Sequence, residues 1–380
     1  MGRLGLILSL LAIFLLYEEA RAQTKDQKEL RQLSRSVRLR HNRVEGLFLG
    51  YRIEGSPKTG DSITLFAESG YGLHSRSFRW EAGAEWRGDR VTTTATAFDR
   101  TESPNREFIR TEGNSISSLL FKGDYRSYYR AKNGFETKTI YRLRPSFHLL
   151  GSFTAFAYES MPVETEWSIL YPDKRFRANP EVRPGNFGRI QFGFIADTRA
   201  KSPIFRNAWF LKGVYERGFR EFSYDGIILT VKRYQKVIFG NQAFVLHARV
   251  GTRESSAEQH RFYLGGVGTL RGFGIKEFFG NRMILINWDY LFRGDLFSRL
   301  PIRALHLLNL ILFVDTGWIS PQLRDKHLFE GFQDVCLQDF ETDAGLALAF
   351  SQQLFRINVA RRLDKNSDPW TFSLRLMRKL

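Results

Sequence analysis

The stretch 370-WTFSLRL-376 decides the fold of this chain. Its apolar side chains, Trp370, Phe372, Leu374 and Leu376, occupy every second position, and threonine, serine and arginine fill the positions between them. Successive side chains of an extended chain point to opposite faces. The stretch therefore predicts a β-strand with one apolar and one polar face, the pattern of a strand that separates lipid from a polar lumen.

The same two-residue period recurs upstream along most of the chain. In 344–350 the inner positions are glycine and alanine, which leaves room on the inner face, and in 284–290 and 312–316 the inner positions include Asp289 and Asp315. The remaining segments that read as strands are 44–55, 62–71, 78–87, 90–98, 135–143, 147–159, 189–199, 208–218, 225–234, 242–251 and 355–360. Together they predict an all-β fold, a transmembrane antiparallel β-barrel.

The strand count predicts one further strand. The segments above number fifteen, whereas bacterial single-chain barrels have an even number, because both termini return to the same side of the membrane. We therefore expect 16 strands. The additional strand is expected in 101–133, where the sequence has no clear period and fits a strand, a loop or a short helix.

Composition and strand length argue against other architectures. Mean hydropathy is −0.32, and no apolar run beyond Ala22 approaches the length of a membrane-spanning helix, which needs about 20 residues. Soluble sandwiches and propellers bury an apolar strand face, whereas arginine, asparagine and aspartate occupy one face here. Aromatic residues make up 14% of the chain, which suits lipid-facing rows and the girdles at the two membrane interfaces.

The first residues read as a secretory signal. Arg3 is the basic region, 4–16 is the apolar run, and Ala20-Arg21-Ala22 is the small-residue cleavage site. The alternative, a membrane-anchor helix, is too short to cross the hydrocarbon core. The predicted organisation is a signal peptide at 1–22, a short periplasmic N-terminal segment at 23–41 and an outer-membrane barrel at 42–380.

Charge and cysteine usage limit the partners and cofactors. The single cysteine, Cys336, excludes an internal disulfide, and no Cys or His cluster has metal-ligand spacing. We expect neither metal nor cofactor. The net charge is +17, which could indicate nucleic acid as the partner, but export argues against it. The excess points instead to anionic lipid headgroups, to an arginine-lined lumen, or to charges on solvated faces.

A glycine-rich segment, 261-RFYLGGVGTLRGFGIKEFFG-280, lies between two strands and carries one arginine in its centre. Gly265, Gly266, Gly268, Gly272 and Gly274 permit positive φ and close backbone approach, so the loop is expected to fold tightly. Its glycine spacing fits neither a dinucleotide loop nor a P-loop. On this pattern alone the arginine could also lie at a loop tip in water.

Here the chain resembles the bacterial surface antigen family of outer-membrane β-barrels, which includes the barrel assembly factor BamA and two-partner secretion transporters. Leu264-Gly265-Gly266 and Leu270-Arg271-Gly272-Phe273 match the family's loop motif. The resemblance implies a lumen-folded extracellular loop whose arginine, Arg271, pairs with acidic residues on the inner wall. It implies Asp315 in LFVDTGW as one partner, and Asp289 in INWDY, where the family often has glutamate, as the other.

Two further matches extend the resemblance over most of the barrel. They are Asp197-Thr198-Arg199 at a strand end and Asn42-Arg43-Val44-Glu45-Gly46, expected to enter the first strand. Members that assemble or secrete proteins usually carry periplasmic POTRA domains before the barrel. The segment 23–41 is too short for one, so we expect the barrel only, without POTRA domains.

The resemblance implies a pore for protein insertion or translocation in the bacterial outer membrane, acting in outer-membrane protein assembly or transport. Its partners would be outer-membrane lipids and lipopolysaccharide, unfolded outer-membrane or secreted client proteins, and periplasmic accessory proteins. In the family the first and last strands close the barrel weakly. Here those strands would be 44–55 and 370–376. The alternative is a passive pore or structural surface barrel. We expect no enzyme, because none of the seven histidines has a recognisable nucleophile and orienting group in the sequence.

Overall fold

The computed structural model describes residues 36–56, 62–104, 109–199, 207–237, 242–255, 257–293, 308–320, 327–333, 335–350, 355–364 and 370–376. The predicted signal peptide, 1–22, lies outside the described residues, as does most of the predicted periplasmic segment. Among the described residues, no helix is long and apolar enough to cross a membrane.

Sixteen antiparallel strands form one sheet whose order follows the chain. They are β1 (Val37–Asn42), β2 (Gly46–Gly55), β3 (Ile63–Gly72), β4 (Ser77–Arg87), β5 (Val91–Glu102), β6 (Tyr129–Arg144), β7 (Phe147–Ser160), β8 (Gly185–Asp197), β9 (Ala208–Arg220), β10 (Tyr224–Lys236), β11 (Gln242–Arg253), β14 (Arg282–Arg293), β15 (Leu308–Ser320), β16 (Glu341–Phe350), β17 (Phe355–Arg362) and β18 (Thr371–Leu376). A separate hairpin pairs β12 (Phe262–Leu264) with β13 (Phe278–Gly280). The helix α1 spans Thr111–Phe121, and two 3-10 turns span Glu258–His260 and Leu337–Asp339.

The predicted barrel class and strand number are confirmed, but the strand that completes the number is not where the sequence placed it. The sixteenth strand is β1 (37–42), inside the segment predicted to be periplasmic, so the barrel begins before residue 42. The stretch 101–133 instead ends β5, forms α1 and begins β6. The motif 42–46 is the turn between β1 and β2 and does not enter the first strand. The edges of the sheet are therefore β1 and β18: the predicted edge 370–376 corresponds to β18, whereas the predicted edge 44–55 corresponds to β2, one strand away from the edge.

The outer surface of the sheet is apolar and its inner surface polar, as the two-residue period predicts. On β15, for example, Leu312 and Val314 are exposed on the outside, whereas Asp315 is fully buried on the inside. Aromatic side chains lie near both ends of the strands: Trp86, Tyr141 and Trp209 at the end that holds the termini, and Phe78, Trp370 and Phe372 at the other. This distribution is that of the interface girdles of a membrane barrel.

The even number of strands places β1's start and β18's end at the same end of the sheet. The connections 103–128, 161–184, 254–281 and 321–340 lie at the opposite end and are long. Outer-membrane barrels have short periplasmic turns and longer extracellular loops. We therefore refer to the opposite end as the extracellular end.

Candidate functional site

The site is built around loop 254–281, which connects β11 to β14. Its first part is fixed by His260, which is buried among aromatic rings from the inner faces of neighbouring strands. The His260 ring lies 4.6 Å from the Tyr224 ring, its Nδ1 is 2.8 Å from Ser255 Oγ, and its Nε2 is 3.2 Å from Tyr158 Oη. The loop therefore leaves the wall from a packed base, not from a mobile hinge.

The Ser255–His260 pair has the distance of a nucleophile and its base, but its surroundings do not favour that role. Burial, together with the positive charge of nearby Arg253, lowers the pKa of His260 to about 3. A general base works best with a pKa near the working pH. At neutral pH His260 is therefore uncharged and only weakly basic, and both side chains are buried.

Glycines shape the centre of loop 254–281 in two ways. Gly265, Gly266 and Gly268 adopt positive φ, as the sequence predicts, and a Cβ on Gly265 would lie 2.2 Å from the carbonyl oxygen of Gly274. Gly272 and Gly274 do not adopt positive φ. Gly272 is required for a different reason, which is close approach to the wall.

Arg271 projects from this loop onto the inner wall and contacts both predicted partners. Its Nε is 2.5 Å from Asp315 Oδ2, its Nη2 also donates to Asp315 Oδ1, and its backbone N–H donates to the same carboxylate at 3.2 Å. Its Nη2 is 2.9 Å from Asp289 Oδ1. The guanidinium carbon lies 3.6 Å from the Phe313 ring centroid. The planar fork of arginine suits this geometry, since it binds a carboxylate through two parallel donors.

Asp289 and Asp315 are joined by further polar residues that sequence reasoning did not assign to the site. Arg356 on β17 donates from Nη1 to Asp289 Oδ2 at 2.7 Å, and Asn287 donates to Asp315 Oδ1 at 2.8 Å. Asp343 lies opposite Asp315 in the β15–β16 register and is fully buried. All three face inward, and the continuing period of β14, β16 and β17 was the signal that could have found them.

The other predicted loop residues pack around this ion cluster. Leu270 and Phe273 are fully buried in an apolar cluster with Leu264, Met283 and Leu285. The loop is therefore held by apolar burial on one side of Arg271 and by charge on the other.

Gly272 brings the loop backbone against two strands at once. A Cβ at this position would lie 2.7 Å from Asp343 Cβ and 3.2 Å from the backbone carbon of Arg361. Its carbonyl oxygen accepts a hydrogen bond from Thr371 Oγ1 on β18 at 3.1 Å. The loop thus contacts the last strand directly, and only glycine fits at the point of contact.

Replacing Gly272 by alanine is expected to destabilise the barrel by about 1–3 kcal/mol, because the new methyl group overpacks against the buried Asp343 side chain and the backbone of Arg361. Urea unfolding in lipid vesicles, followed by tryptophan fluorescence, measures the effect. Gly55→Ala is the matched control, since a Cβ there meets nothing within 4 Å. Equal stability of the two variants would contradict close docking of the loop.

The two edges of the sheet are β1 and β18, and we call them the seam. The seam is linked to the loop that carries Arg271 through Thr371 on β18. Within the described residues, β1 and β18 span six residues each, whereas β6 spans sixteen, and β1 and β18 do not form a hydrogen-bonded pair there. The turn after β1 is firmly held: Arg40 donates from Nε and Nη2 to the two oxygens of buried Glu45, each at 2.9 Å, and Thr101 donates to Glu45 at 2.7 Å.

Searches against family models and curated proteins gave no match. Among solved structures, BamA from Haemophilus ducreyi lacking POTRA domains 1–3 superposes with a TM-score of 0.56 over 89% of this chain and 69% of that chain, at 12% sequence identity. The chain has the fold of a BamA barrel. The resemblance inferred from residues 264–273 is thus confirmed at the level of the fold.

Two further solved structures are similar in outline. CdiB from Acinetobacter baumannii has a TM-score of 0.48 at 14% identity over 90% of this chain, and CdiB from Escherichia coli has 0.47 at 11% over 89%. The chain spans 59% and 61% of the length of these two proteins.

Proposed function

We propose that this BamA-type barrel inserts or translocates proteins at the bacterial outer membrane and acts through the seam. The observation that carries the proposal is the pair of sheet edges, β1 and β18, which do not pair with each other within the described residues of an otherwise continuous sheet. A free strand edge presents unpaired N–H and C=O groups that can template a strand of another chain. No covalent step is needed, so the proposal assigns no catalytic residue.

In this proposal loop 254–281 holds the β18 side of the seam in place. Arg271 ties the loop to β14 and β15, Thr371 ties it to β18, and Arg362 on β17 donates to Glu277 of the loop at 2.9 Å. Every strand from β14 to β18 except β16 is thus bound to the loop through a side-chain hydrogen bond, and Gly272 packs on β16. With this side fixed, β1 is the edge that receives a client.

The proposed partners follow from the surfaces of the barrel. The apolar outer face meets lipid acyl chains, and lipopolysaccharide meets the extracellular rim. Unfolded outer-membrane or secreted proteins are the clients, and periplasmic accessory proteins deliver them. Leu39, on the outer face of β1, is 64% exposed and lies where an arriving client strand would first meet the edge.

The first test is the folding of an unrelated barrel into liposomes that contain the purified protein, compared with empty liposomes. Acceleration supports the proposal, and an unchanged rate contradicts it. A photo-crosslinking residue at Leu39 then tests the route. We expect crosslinks to the folding client from Leu39 and not from Leu65, which is similarly exposed on the outside of β3. Equal crosslinking from both would exclude the seam.

A passive pore is the second candidate, favoured by the charge of the inner wall. A cavity of about 500 Å³ lies inside the barrel, and six Lys and Arg side chains line it against two acidic ones, Glu136 and Glu216, so the charge of its lining is positive. A cationic lumen concentrates anions. Planar-bilayer recordings should then show steady conductance with a preference for chloride over potassium, and a silent protein would exclude this function.

A further inference from the structure

Helix α1 occupies the extracellular end of the seam. It belongs to the connection between β5 and β6, yet it packs against β1 and β18, the two edges of the sheet. Since those edges do not pair with each other within the described residues, the helix lies where strand pairing would otherwise continue the wall.

The helix binds the free edge of β1 through a backbone group. The N–H of His41 donates to Ser115 Oγ at 2.6 Å, and His41 Nδ1 lies 3.0 Å from Ser118 Oγ. Neighbouring residues of an edge strand direct their N–H groups alternately to the paired strand and away from it. The N–H of His41 is therefore one that an added strand would use. Helix α1 and an added strand exclude each other at this position.

The burial pattern of α1 is that of a wall element. Its buried residues are polar, Asn114, Ser117 and Ser118, whereas Ile116 and Leu119 are only partly buried. A surface helix of a soluble protein shows the opposite arrangement. Polar side chains towards the barrel and apolar side chains outward match the strands on either side.

The segment after β7 extends the apolar outer surface. The backbone N–H of Ile169 donates to the carbonyl oxygen of Leu119 at 2.9 Å. Trp167, Ile169 and Tyr171 are each more than two-fifths exposed. This surface continues the lipid-facing belt of β1 and β18, which makes acyl chains its occupant.

Helix α1 has weak intrinsic stability and a fixed pivot, as a movable element needs. Its first two turns are rich in glycine, asparagine and serine, which are poor helix formers, and its N-cap residue, Arg110, forms no side-chain cap. The residue that fixes the segment is Asp124, just after the helix, which receives a hydrogen bond from the backbone N–H of Arg43 at 3.0 Å; Asn114 Nδ2, in the first turn of the helix, donates to the same carboxylate at 2.8 Å. The helix can detach from β1 while Asp124 stays bound.

We propose that α1 is a removable part of the barrel wall, a gate that closes the extracellular end of the seam and must leave the β1 edge before a strand of another protein can pair there. The last clause rests on the proposed function. The position of α1 in the wall, in contact with lipid, does not.

A disulfide lock tests the gate. His41→Cys and Ser118→Cys are combined in a Cys336→Ser background, because Cys336 is the only native cysteine. We expect the oxidised protein to lose acceleration of client folding and to regain it after reduction. Thr93→Cys with Thr139→Cys is the matched control: these residues are paired across β5 and β6, with their hydroxyl oxygens 3.1 Å apart, so that lock should change nothing. Full activity of the oxidised seam lock would overturn the gate.

A second measurement separates the gate from the proposed function. An environment-sensitive fluorophore on Leu119→Cys in the same background should be quenched by brominated acyl chains, and the same probe on Glu112→Cys, at the exposed start of the helix, should be quenched less. Equal or absent quenching at Leu119 would overturn the wall position. If no client folds faster with the unlocked protein, the proposed function fails, and the quenching result alone decides the place of α1.

Discussion

Replacing Arg271 by alanine is expected to lower the free energy of unfolding by about 3–5 kcal/mol, the usual cost of breaking a buried ion pair by removing one partner. Asp315 is fully buried and Arg271 is 5% exposed, so water cannot replace the lost donors without opening the loop. Arg356 would still neutralise Asp289. Asp315 would lose its arginine and keep the hydrogen bond from Asn287.

Urea unfolding in lipid vesicles measures this effect, and two variants define its origin. Arg271→Lys keeps the charge but loses the planar fork, and should recover only part of the stability. In the double variant Arg271→Ala with Asp315→Ala the second change should cost much less than it does alone, because the two residues interact. Wild-type stability of Arg271→Ala would mean that the loop does not depend on the ion cluster.

Arg43→Ala should have an effect of similar size, about 3–5 kcal/mol, at the opposite side of the seam. The side chains of Arg43 and Asp124 are both fully buried with 3.3 Å between Nη1 and Oδ2. Arg43 Nη2 also donates to the carbonyl oxygen of Arg126 at 2.8 Å and to Asn179 at 3.1 Å. Its loss removes the guanidinium from a buried carboxylate, which keeps the hydrogen bonds from the Arg43 backbone N–H, Asn114 and Tyr128.

The control for Arg43 is an ion pair at the surface. Arg87 pairs with Glu85 while its side chain is 68% exposed, and exposed pairs contribute about 0–1 kcal/mol. Arg87→Ala should therefore unfold close to the wild-type urea midpoint. If Arg43→Ala behaves like Arg87→Ala, the turn 43–45 is not the anchor that the geometry indicates.

Most strands could be predicted because each has lipid on one side and the lumen on the other, which imposes a strict two-residue period. Strand β1 was not predicted from the sequence, because residues 37–42 have only two apolar side chains on the outer face, Val37 and Leu39. The next outer residue, His41, is covered by α1 instead of lipid. The pairing of Arg40 with Glu45 supports this strand. That support is tertiary, so the local pattern does not carry it.

Helix α1 shows the same limit. Its residues have low helix propensity, and the helix forms because β1, β18 and Asp124 hold it, which a local segment cannot reveal. Arg271 with Asp315 and Asp289 was found through a family resemblance. Arg356 and Asp343 could have been predicted from the two-residue period of their own strands. For Asp343 that period has to be extended by one residue beyond the predicted segment 344–350.

The docking of loop 254–281 has a consequence for the order of folding. Arg271 contacts Asp315, which lies 44 residues further along the chain, and Gly272 contacts Thr371, which lies 99 residues further along. Closing contacts across such separations is slow, and the loop has no complete binding surface until β15 to β18 exist. We therefore expect the loop to dock last, so that a chain whose final strands are unformed carries an undocked, protease-sensitive loop that marks it as unfinished.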